Sequence, residues 1–419
     1  MPSAQNFNNK VATAFDISLE KSQSLVSPSQ SLSDFNITLP INNSSSSEPS
    51  LSDLLPQSPF TTVNPNPNPY LTSAAITPDF NGDGKADKVW VNTQTGEIVV
   101  RLMDGATTVQ EASLGQYDLT TWSYKIADFN SDGKTDFLLR NNATGENAVA
   151  LMDGTRVANF VYLEKVDAGW EAKIGDFNGD RKTDIYWHNA TTGQNAIWTM
   201  DGTTVTSANV LDTTAVGWNP TIVDFDGNGK SDIFWRNTAT GENNAWFMDG
   251  AQATKYDLQA QDSSWSYTLG DFNGDFKTDI LWRNTSTGEN KVWTMNVLPG
   301  VGPLVTEGTL NTLDSSWKAS IGDFNGDGKT DIFWNNETTG ENTAWLMDGT
   351  NKSSEAFLPK VSETGAVYQP FLGDHNGDGK TDIYWRDQAS GQDVLWVMDG
   401  TTATATPVAN SLTPEWYTG

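Results

Sequence analysis

From residue 79 onward the chain alternates short apolar runs with polar, glycine-containing turns. A typical unit reads WEAKIGDF at 170–177, TDIYWHN at 183–189 and NAIWTM at 195–200, followed by a loosely patterned stretch around 203–211. No segment keeps an apolar period of 3.6 residues, so the pattern predicts short strands rather than helices. The second run is apolar almost throughout, which is typical of a strand buried on both faces.

The same unit recurs seven times. A nine-residue block similar to DFNGDGKTD begins at residues 79, 128, 176, 224, 271, 323 and 374, a spacing of 47–52 residues. A glycine that closes a T-G-E-N-like turn follows 17 residues after each block begins, and an M-D-G turn comes next in six copies. Three fixed slots hold 16 of the 17 Trp. Four short strands in each of seven repeats predict an all-β fold, a seven-bladed β-propeller with four antiparallel strands per blade.

The two ends of the chain predict how the domain begins and how the ring closes. Residues 1–69 are rich in Ser, Asn and Pro and hold few large apolar side chains, so we predict a low-complexity, disordered or extended tail. We interpret it as a tether to a larger assembly, with the propeller spanning 70–419. Trp416 lies 42 residues after Asp374, the spacing found in earlier repeats. We therefore predict that the C-terminal strand completes the first blade, with Gly419 near Ile76.

The charge of the chain excludes several classes of partner. Lys and Arg total 25 against 53 Asp and Glu, which gives a formal net charge of −28 and a pI of about 4.2. Nucleic acids and anionic lipid require a basic face, so we expect neither as a partner. No apolar stretch approaches 18 residues, so we predict no membrane insertion. The chain has no Cys, which excludes disulfides, a thiol nucleophile and cysteine-ligated zinc.

The repeated block carries the chemistry. We call the seven copies acidic loops 1–7 and number their residues 1–9. In the sixth loop, positions 1, 3, 5 and 9 are Asp323, Asn325, Asp327 and Asp331, all oxygen donors. Hard oxygen ligands from a flexible loop suit Ca²⁺, which accepts six to eight of them, better than octahedral Mg²⁺. We predict up to seven structural Ca²⁺ ions, which would reduce the formal net charge from −28 to −14.

The predicted metal ligands occupy the same four positions in every loop. They are Asp79, Asn81, Asp83 and Asp87; Asp128, Asn130, Asp132 and Asp136; Asp176, Asn178, Asp180 and Asp184; Asp224, Asp226, Asn228 and Asp232; Asp271, Asn273, Asp275 and Asp279; Asp323, Asn325, Asp327 and Asp331; and Asp374, Asn376, Asp378 and Asp382. Position 6 is expected to take a positive φ, which favours Gly, yet Arg181 and Phe276 stand there in loops 3 and 5. The alternative is that some loops are metal-free turns held by side chain–backbone hydrogen bonds.

These motifs resemble the FG-GAP/VCBS repeat family, whose best-known members are the propellers of integrin α-subunits. The resemblance covers about residues 70–419 and rests on DFNGDGKTDIFW-like segments at about 50-residue spacing. It implies a seven-bladed propeller with calcium in hairpin loops on one face. The W-x-M-D-G and T-G-E-N elements also resemble tandem repeats of bacterial surface and secreted proteins. Some fungal lectins pair similar loops with sugar sites around a seven-bladed ring.

Three functions compete at this point. The first is a non-catalytic scaffold or adhesion module that presents a propeller face to a protein or glycan. The second is a lectin, in which the second-strand Trp residues stack on sugars and nearby polar groups bind hydroxyls. The polar groups are Arg236, Asn237, Glu242, Asn243, Arg283, Asn284, Arg386 and Asp387. The alternative is that these side chains satisfy hairpin ends and that the Trp residues form the core between blades.

The third function is catalysis, which the sequence disfavours. Nearly all paired carboxylates lie in the acidic loops, and neither His188 nor His375 has a nucleophile at a recognisable spacing. We therefore predict that the protein is not an enzyme. Loops of this kind bind calcium at extracellular concentrations, which favours an extracellular or cell-surface location. The first residues do not read as a secretory signal, and this weighs against that location.

Overall fold

The computed structural model describes residues 77–298, 301–361 and 368–418. Within these ranges the chain forms 28 strands in seven four-stranded antiparallel sheets, and no helix. The prediction of a seven-bladed, all-β propeller with four strands per blade is confirmed. None of the described residues forms a helix long and apolar enough to cross a membrane. The predicted tail, residues 1–69, and the predicted proximity of Gly419 to Ile76 lie outside the described residues.

Each blade is one sheet. In blades 2–7 its strands follow one another along the chain, whereas blade 1 takes its first strand from the C-terminal end. Blade 1 holds β1 (Lys88–Asn92), β2 (Glu97–Asp104), β3 (Thr107–Gln116) and the last strand β28 (Trp416–Thr418). Blades 2–4 hold β4 (Trp122–Ala127), β5 (Asp136–Asn141), β6 (Asn147–Asp153) and β7 (Arg156–Leu163); β8 (Glu171–Gly175), β9 (Asp184–Asn189), β10 (Gln194–Asp201) and β11 (Thr204–Leu211); and β12 (Trp218–Val223), β13 (Asp232–Asn237), β14 (Asn243–Asp249) and β15 (Gln252–Leu258).

Blades 5–7 repeat this arrangement. They hold β16 (Trp265–Gly270), β17 (Asp279–Asn284), β18 (Asn290–Leu298) and β19 (Gly302–Leu310); β20 (Trp317–Gly322), β21 (Asp331–Asn336), β22 (Asn342–Asp348) and β23 (Asn351–Leu358); and β24 (Tyr368–Gly373), β25 (Asp382–Asp387), β26 (Asp393–Asp399) and β27 (Thr402–Pro407). In every blade an acidic loop precedes the second strand, and a turn follows it that contains Thr-Gly in blades 1–6 and Ser-Gly in blade 7.

The chain closes the ring with its own C-terminal strand. β28 pairs antiparallel with β1, with Trp90 opposite Thr418 and Asn92 opposite Trp416, so the order in blade 1 is β28-β1-β2-β3. The Thr418 hydroxyl, which is buried, donates a hydrogen bond to the carbonyl of Val89 at 2.9 Å. This is the pairing that the spacing of Trp416 predicts. It covers the edge of β1, which would otherwise expose unpaired backbone groups.

The core lies between the blades. The second strand of each sheet is buried almost throughout. In blades 3–7 its Trp packs against the Trp of the third strand, as between Trp235 and Trp246 with ring centroids 5.2 Å apart. Each apolar cluster joins neighbouring sheets; Tyr186 of blade 3, for example, meets Trp235 of blade 4 edge-on. Aromatic side chains bury large apolar areas and favour such edge contacts. The Trp slots that follow the acidic loop are therefore core.

Candidate metal centre

The first Asp of each acidic loop organises the backbone around it. In loop 6, Asp323 Oδ1 accepts hydrogen bonds from the N–H groups of Gly326 and Asp327 at 2.7 and 3.2 Å, and Oδ2 accepts one from Gly328 at 2.7 Å. Gly326 and Gly328, at positions 4 and 6, have φ of 74° and 80°. These left-handed residues turn successive N–H groups inward, so the loop curls around one carboxylate.

Positions 3 and 5 fasten the tip of the loop. Asn325 Oδ1 accepts from the N–H of Asp327 at 3.0 Å, while its Nδ2 donates to Asp327 Oδ2 at 3.1 Å. Asp327 Oδ1 in turn accepts from the N–H of Lys329 at 2.9 Å. Local hydrogen bonds of this kind are what Asn and Asp offer in turns. They are also the hydrogen bonds that the metal-free alternative requires, so they do not by themselves decide between the two readings of the loop.

Position 9 carries the buried carboxylate. Asp331 Oδ2 accepts from the N–H of Phe324 at 3.0 Å, and Oδ1 accepts from the N–H of Met347 on the third strand at 2.8 Å. Burial raises the pKa of Asp331 to about 8. The same burial raises the pKa to about 7 in loops 1, 2, 3 and 7, at Asp87, Asp136, Asp184 and Asp382. Two N–H donors only partly offset the loss of water around this charge.

The backbone at position 6 has the predicted conformation in all seven loops. Arg181 and Phe276 have φ of 69° and 66°, close to the Gly residues at the same position. The left-handed conformation costs a non-Gly residue on the order of 1 kcal/mol. Each of these N–H groups nevertheless donates to the first Asp of its loop, at 2.7 Å from Arg181 and 2.8 Å from Phe276. The loop geometry therefore outweighs the local preference of the residue.

Three carboxylates converge in one of the seven loops. In loop 4, position 3 is Asp226 instead of Asn, and single carboxylate oxygens of Asp224, Asp226 and Asp232 all lie within 4.8 Å of one another. A carboxylate oxygen that accepts one N–H keeps a second lone pair for a cation. Positions 1, 3 and 9 thus present hard oxygens to one point, which fits Ca²⁺. In the other six loops the three Asp stand at positions 1, 5 and 9, and among the described residues no group of three carboxylates converges in this way there.

The loops are joined into a ring through position 8. The N–H of Thr330 in loop 6 donates to the carbonyl of Asp271 in loop 5 at 2.6 Å, and the N–H of Asp271 donates back to the Thr330 hydroxyl at 2.9 Å. The backbone bond recurs between every pair of neighbouring loops at 2.6–3.1 Å: Thr135–Asp79, Thr183–Asp128, Ser231–Asp176, Thr278–Asp224, Thr330–Asp271, Thr381–Asp323 and Ala86–Asp374. Each candidate ligand at position 1 is thereby held by the next blade.

Two parts of this arrangement were not predicted from the sequence. The first is the bond through position 8. The second is the Lys at position 7, which pairs with the Asp of the M-D-G turn in six blades, as Lys329 does with Asp348. In those six repeats the Lys and the Asp are always 19 residues apart, so their opposite charges could have predicted the ion pair. In blade 5 the turn has Asn296 instead, and Lys277 pairs with Asp275 within its own loop.

The polar side chains considered for sugar binding serve the hairpin ends. Arg236 is 1% exposed, lies over the ring of Trp282 with 4.9 Å to its centroid, and donates to Asn243 Oδ1 at 3.0 Å. Asn237 Oδ1 accepts N–H groups of the Thr-Gly turn. Equivalent contacts engage Arg283, Asn284, Arg386, Asp387 and Glu242. In this structure all of these side chains hydrogen-bond within the fold, and Glu242 is the one among them that is exposed.

Both histidines are buried between blades. His188 Nδ1 lies 2.8 Å from Asn195 Oδ1, and the His188 ring packs edge-on against Trp235 with centroids 5.3 Å apart. His375 Nδ1 lies 3.1 Å from the carbonyl of Ala86 in the first loop. Burial lowers the pKa of both imidazoles, well below the ordinary value at His375. Neutral, buried rings of this kind are typical of packing residues.

Fold and loops together define a seven-bladed β-propeller built from tandem acidic-loop repeats. The family model described as "FG-GAP-like repeat" matches residues 79–139, 176–235, 224–282, 271–334 and 323–385. The chain belongs to this family. No curated protein matches the chain in sequence.

Several solved structures are similar to this chain in fold. A lectin from Agrocybe aegerita that recognises non-reducing terminal N-acetylglucosamine has a TM-score of 0.61 and 16% identity, over 81% of this chain and 96% of the lectin. A dihydro-heme d1 dehydrogenase has a TM-score of 0.47 and 11% identity, over 84% of this chain and 69% of that one. A nidogen/laminin complex has a TM-score of 0.36 and 14% identity, over 64% of this chain and 92% of that one. At 16% identity the likeness to the lectin shows the fold alone, and the two weaker likenesses carry no argument.

Proposed function

We propose that this protein is a non-catalytic, calcium-stabilised propeller that presents one of its faces to a protein or glycan partner. The acidic loops bind Ca²⁺ as a structural ion, and the ring of loops transmits that stabilisation from blade to blade. The proposed setting is extracellular or at a cell surface, because weak calcium loops are filled at the calcium concentrations found there.

The observation that carries the proposal is the carboxylate cluster of loop 4. Asp224, Asp226 and Asp232 converge within 4.8 Å, and burial raises the pKa of Asp224 to about 7 and that of Asp232 well above its ordinary value. Three carboxylates this close repel one another unless protons or a cation lie between them. A divalent cation would neutralise this repulsion and release the protons.

The experiment that tests the metal part is a direct count. The purified chain is dialysed against calcium, and bound metal is measured by atomic emission, with Mg²⁺ as competitor. We expect several Ca²⁺ per chain, up to seven, retained against a large excess of Mg²⁺. The variant Asp224→Asn with Asp232→Asn should lose about one ion. A chain that retains less than one Ca²⁺ would contradict the proposal.

A glycan is the second candidate partner. The likeness to the Agrocybe aegerita lectin suggests this partner, and the similar region covers nearly the whole of that lectin. Because Arg236 and its equivalents are committed to hairpin ends, a sugar would have to bind through other residues. Retention on immobilised N-acetylglucosamine, with elution by the free sugar, separates this candidate from a purely protein-binding scaffold. Passage through the resin without retention would contradict it.

A further inference from the structure

The chain contains six Asn-Gly dipeptides, and all six lie in acidic loops. Loop 4 has Asp226 at position 3 and carries its Asn-Gly pair at positions 5 and 6, whereas loop 2 has Asn130 followed by Ser131. In the other five loops Asn stands at position 3 and Gly at position 4. These pairs are Asn81-Gly82, Asn178-Gly179, Asn273-Gly274, Asn325-Gly326 and Asn376-Gly377. The same dipeptide thus stands at the same point of five candidate metal sites.

An Asn-Gly pair can lose its side-chain amide without an enzyme, and Asn is among the thermolabile residues. The backbone nitrogen of the Gly attacks Cγ of the Asn, and the new C–N bond closes a five-membered succinimide ring. The Nδ2 group leaves as ammonia together with the proton that the Gly nitrogen has lost. Water then opens the ring at one of its two carbonyls, which gives Asp or isoaspartate. The net reaction exchanges ammonia for water.

The hydrogen bonds of loop 6 place useful groups around this reaction. Asp323 Oδ1 accepts from the N–H of Gly326 at 2.7 Å, so a carboxylate lies where the attacking nitrogen must give up its proton. Asn325 Oδ1 accepts from the N–H of Asp327 at 3.0 Å, which stabilises the negative charge that develops on this oxygen. Gly326 and Asp327 are exposed, so water reaches the loop.

Both contacts recur in every loop that has Asn at position 3. The N–H of position 4 donates to the first Asp at 2.6–2.7 Å, and the Asn Oδ1 accepts from the N–H of position 5 at 2.8–3.1 Å. Ser131 of loop 2 has a φ of 61°, in the same left-handed region as the 74° of Gly326. Loop 2 therefore offers the same contacts with a side chain on the attacking residue, which makes it an internal control.

A bound calcium ion would withdraw the same groups from the reaction. Positions 1 and 3 are proposed ligands, so the ion would hold the Asp323 carboxylate and the Asn325 oxygen. A metal-bound carboxylate is a weaker proton acceptor, and a fixed side chain does not turn its Cγ toward the next nitrogen. In a loop without calcium, the neighbouring carboxylates repel one another, which favours local opening of the loop.

We propose that the Asn at position 3 of loops 1, 3, 5, 6 and 7 deamidates when its loop loses calcium and is protected while the ion is bound. The sites are Asn81, Asn178, Asn273, Asn325 and Asn376. Isoaspartate lengthens the loop backbone by one carbon and shortens the ligand side chain, so a converted loop no longer binds calcium. Loss of calcium thereby becomes irreversible with time. This inference rests on the proposed function, because protection requires a bound ion.

The test is peptide mapping by mass spectrometry of the full chain, incubated at neutral pH with calcium or with chelator. We expect the five Asn residues to convert at least fivefold faster in chelator, with isoaspartate as the main product. Equal rates in the two buffers, from a chain that the metal count shows to bind calcium, would overturn this proposal and leave the proposed function intact. A chain that binds no calcium would overturn both.

Two reciprocal variants test the role of position 4. Gly326→Ser gives loop 6 the dipeptide of loop 2, and Ser131→Gly gives loop 2 the reactive one; both should fold, because Ser and Gly already share this backbone conformation. In chelator we expect the first to slow conversion of Asn325 at least tenfold and the second to accelerate conversion of Asn130 by a similar factor. Asn81, unchanged in both variants, is the reference within each digest.

A free peptide with the nine residues of loop 6 sets the unconstrained rate of conversion. We expect Asn325 of the calcium-free chain to convert at least as fast as this peptide, because the loop supplies a proton acceptor. Conversion at less than a tenth of the peptide rate would show that the folded loop protects Asn325 without calcium and would overturn the proposal. Unchanged rates in both reciprocal variants, with unchanged melting temperatures, would also overturn it.

Discussion

The backbone N–H of Ala86 donates a hydrogen bond to the carbonyl of Asp374 at 2.7 Å, joining the first acidic loop to the seventh across 288 positions of sequence. At the six other junctions the donor of this backbone bond is a Thr or Ser. In several of them the Thr hydroxyl also accepts a hydrogen bond from the N–H of the first Asp of the preceding loop. Ala86 lacks that hydroxyl. At that junction the His375 ring of the seventh loop meets the first loop instead, with its Nδ1 3.1 Å from the carbonyl of Ala86, and the C-terminal strand reinforces the same blade.

Removing the C-terminal strand should open the ring. A chain ending at Pro414 loses β28, leaves the edge of β1 uncovered and exposes the buried side of Trp90. We expect a lower melting temperature, a broader unfolding transition and a tendency to associate through the free edge. Calorimetry and light scattering measure these properties. A truncated chain that melts like the full one would show that β28 does not contribute to closure.

A second prediction concerns the Trp core. Trp235→Ala should cost about 3–5 kcal/mol of the free energy of unfolding, because it leaves a large cavity between blades. The indole N–H of Trp235 has no acceptor among the described residues, so Trp235→Phe loses volume but no hydrogen bond. Its cost should be clearly smaller, about 1–2 kcal/mol. Urea unfolding of the two variants tests this. Equal costs would mean that the N–H has a partner, such as a buried water.

The two kinds of loop carboxylate should respond differently to mutation. Asp232 accepts from the N–H groups of Phe225 and Met248, so Asp232→Asn turns an amide N–H₂ toward a buried donor. We expect it to destabilise the chain by about 1–3 kcal/mol even in chelator. Asp226→Asn creates the residue present at position 3 in the other loops and should lower calcium affinity while leaving calcium-free stability nearly unchanged. Urea unfolding with and without chelator separates the two effects. Equal losses of calcium-free stability in the two variants would contradict this prediction.

The raised pKa values of the position 9 carboxyls predict how calcium-free stability depends on pH. The ordinary value is 3.8, whereas burial raises the pKa of Asp87 and Asp382 to about 7. The folded state then binds more protons than the unfolded state between these values. The contribution to stability is full below the ordinary pKa and is lost as pH rises through about 7. In chelator, the free energy of unfolding should therefore fall from about pH 5 to about pH 8.

Calcium should reverse that dependence, because it binds the ionised form and competes with protons. The stabilisation by a fixed calcium concentration is expected to be larger near pH 8 than near pH 5.5. Urea unfolding at the two pH values, with calcium or with chelator, measures it. A calcium effect that is independent of pH would show that the buried carboxyls are not part of the binding site.

The sequence predicted the repeat, the strand count and the closure, because turn residues and Trp slots recur in phase and each constrains the same sheet. The positive φ at position 6 followed from the Gly there and held even at Arg181 and Phe276. Contacts between blades were harder to foresee. The bond from Thr330 to Asp271 joins residues 59 apart, and nothing in a single repeat indicates which neighbour it meets.

The sugar-site hypothesis likewise depended on a contact between blades that the sequence does not show. Arg236 beside a Trp is compatible with a binding surface, and only the packing shows that its guanidinium is buried against Trp282 of the next blade. Periodicity predicts what recurs, whereas this feature depends on how neighbouring repeats fit together.

Thermal melting with and without chelator tests the central claim most directly. If the acidic loops bind Ca²⁺ as structural ions, excess chelator should lower the melting temperature by well over ten degrees, because each site at a hundredfold excess over its dissociation constant contributes about 2.7 kcal/mol and the contributions of several sites add. Added calcium, but not magnesium, should restore it. An unchanged melting temperature in chelator, from a chain shown to be metal-free, would contradict the account.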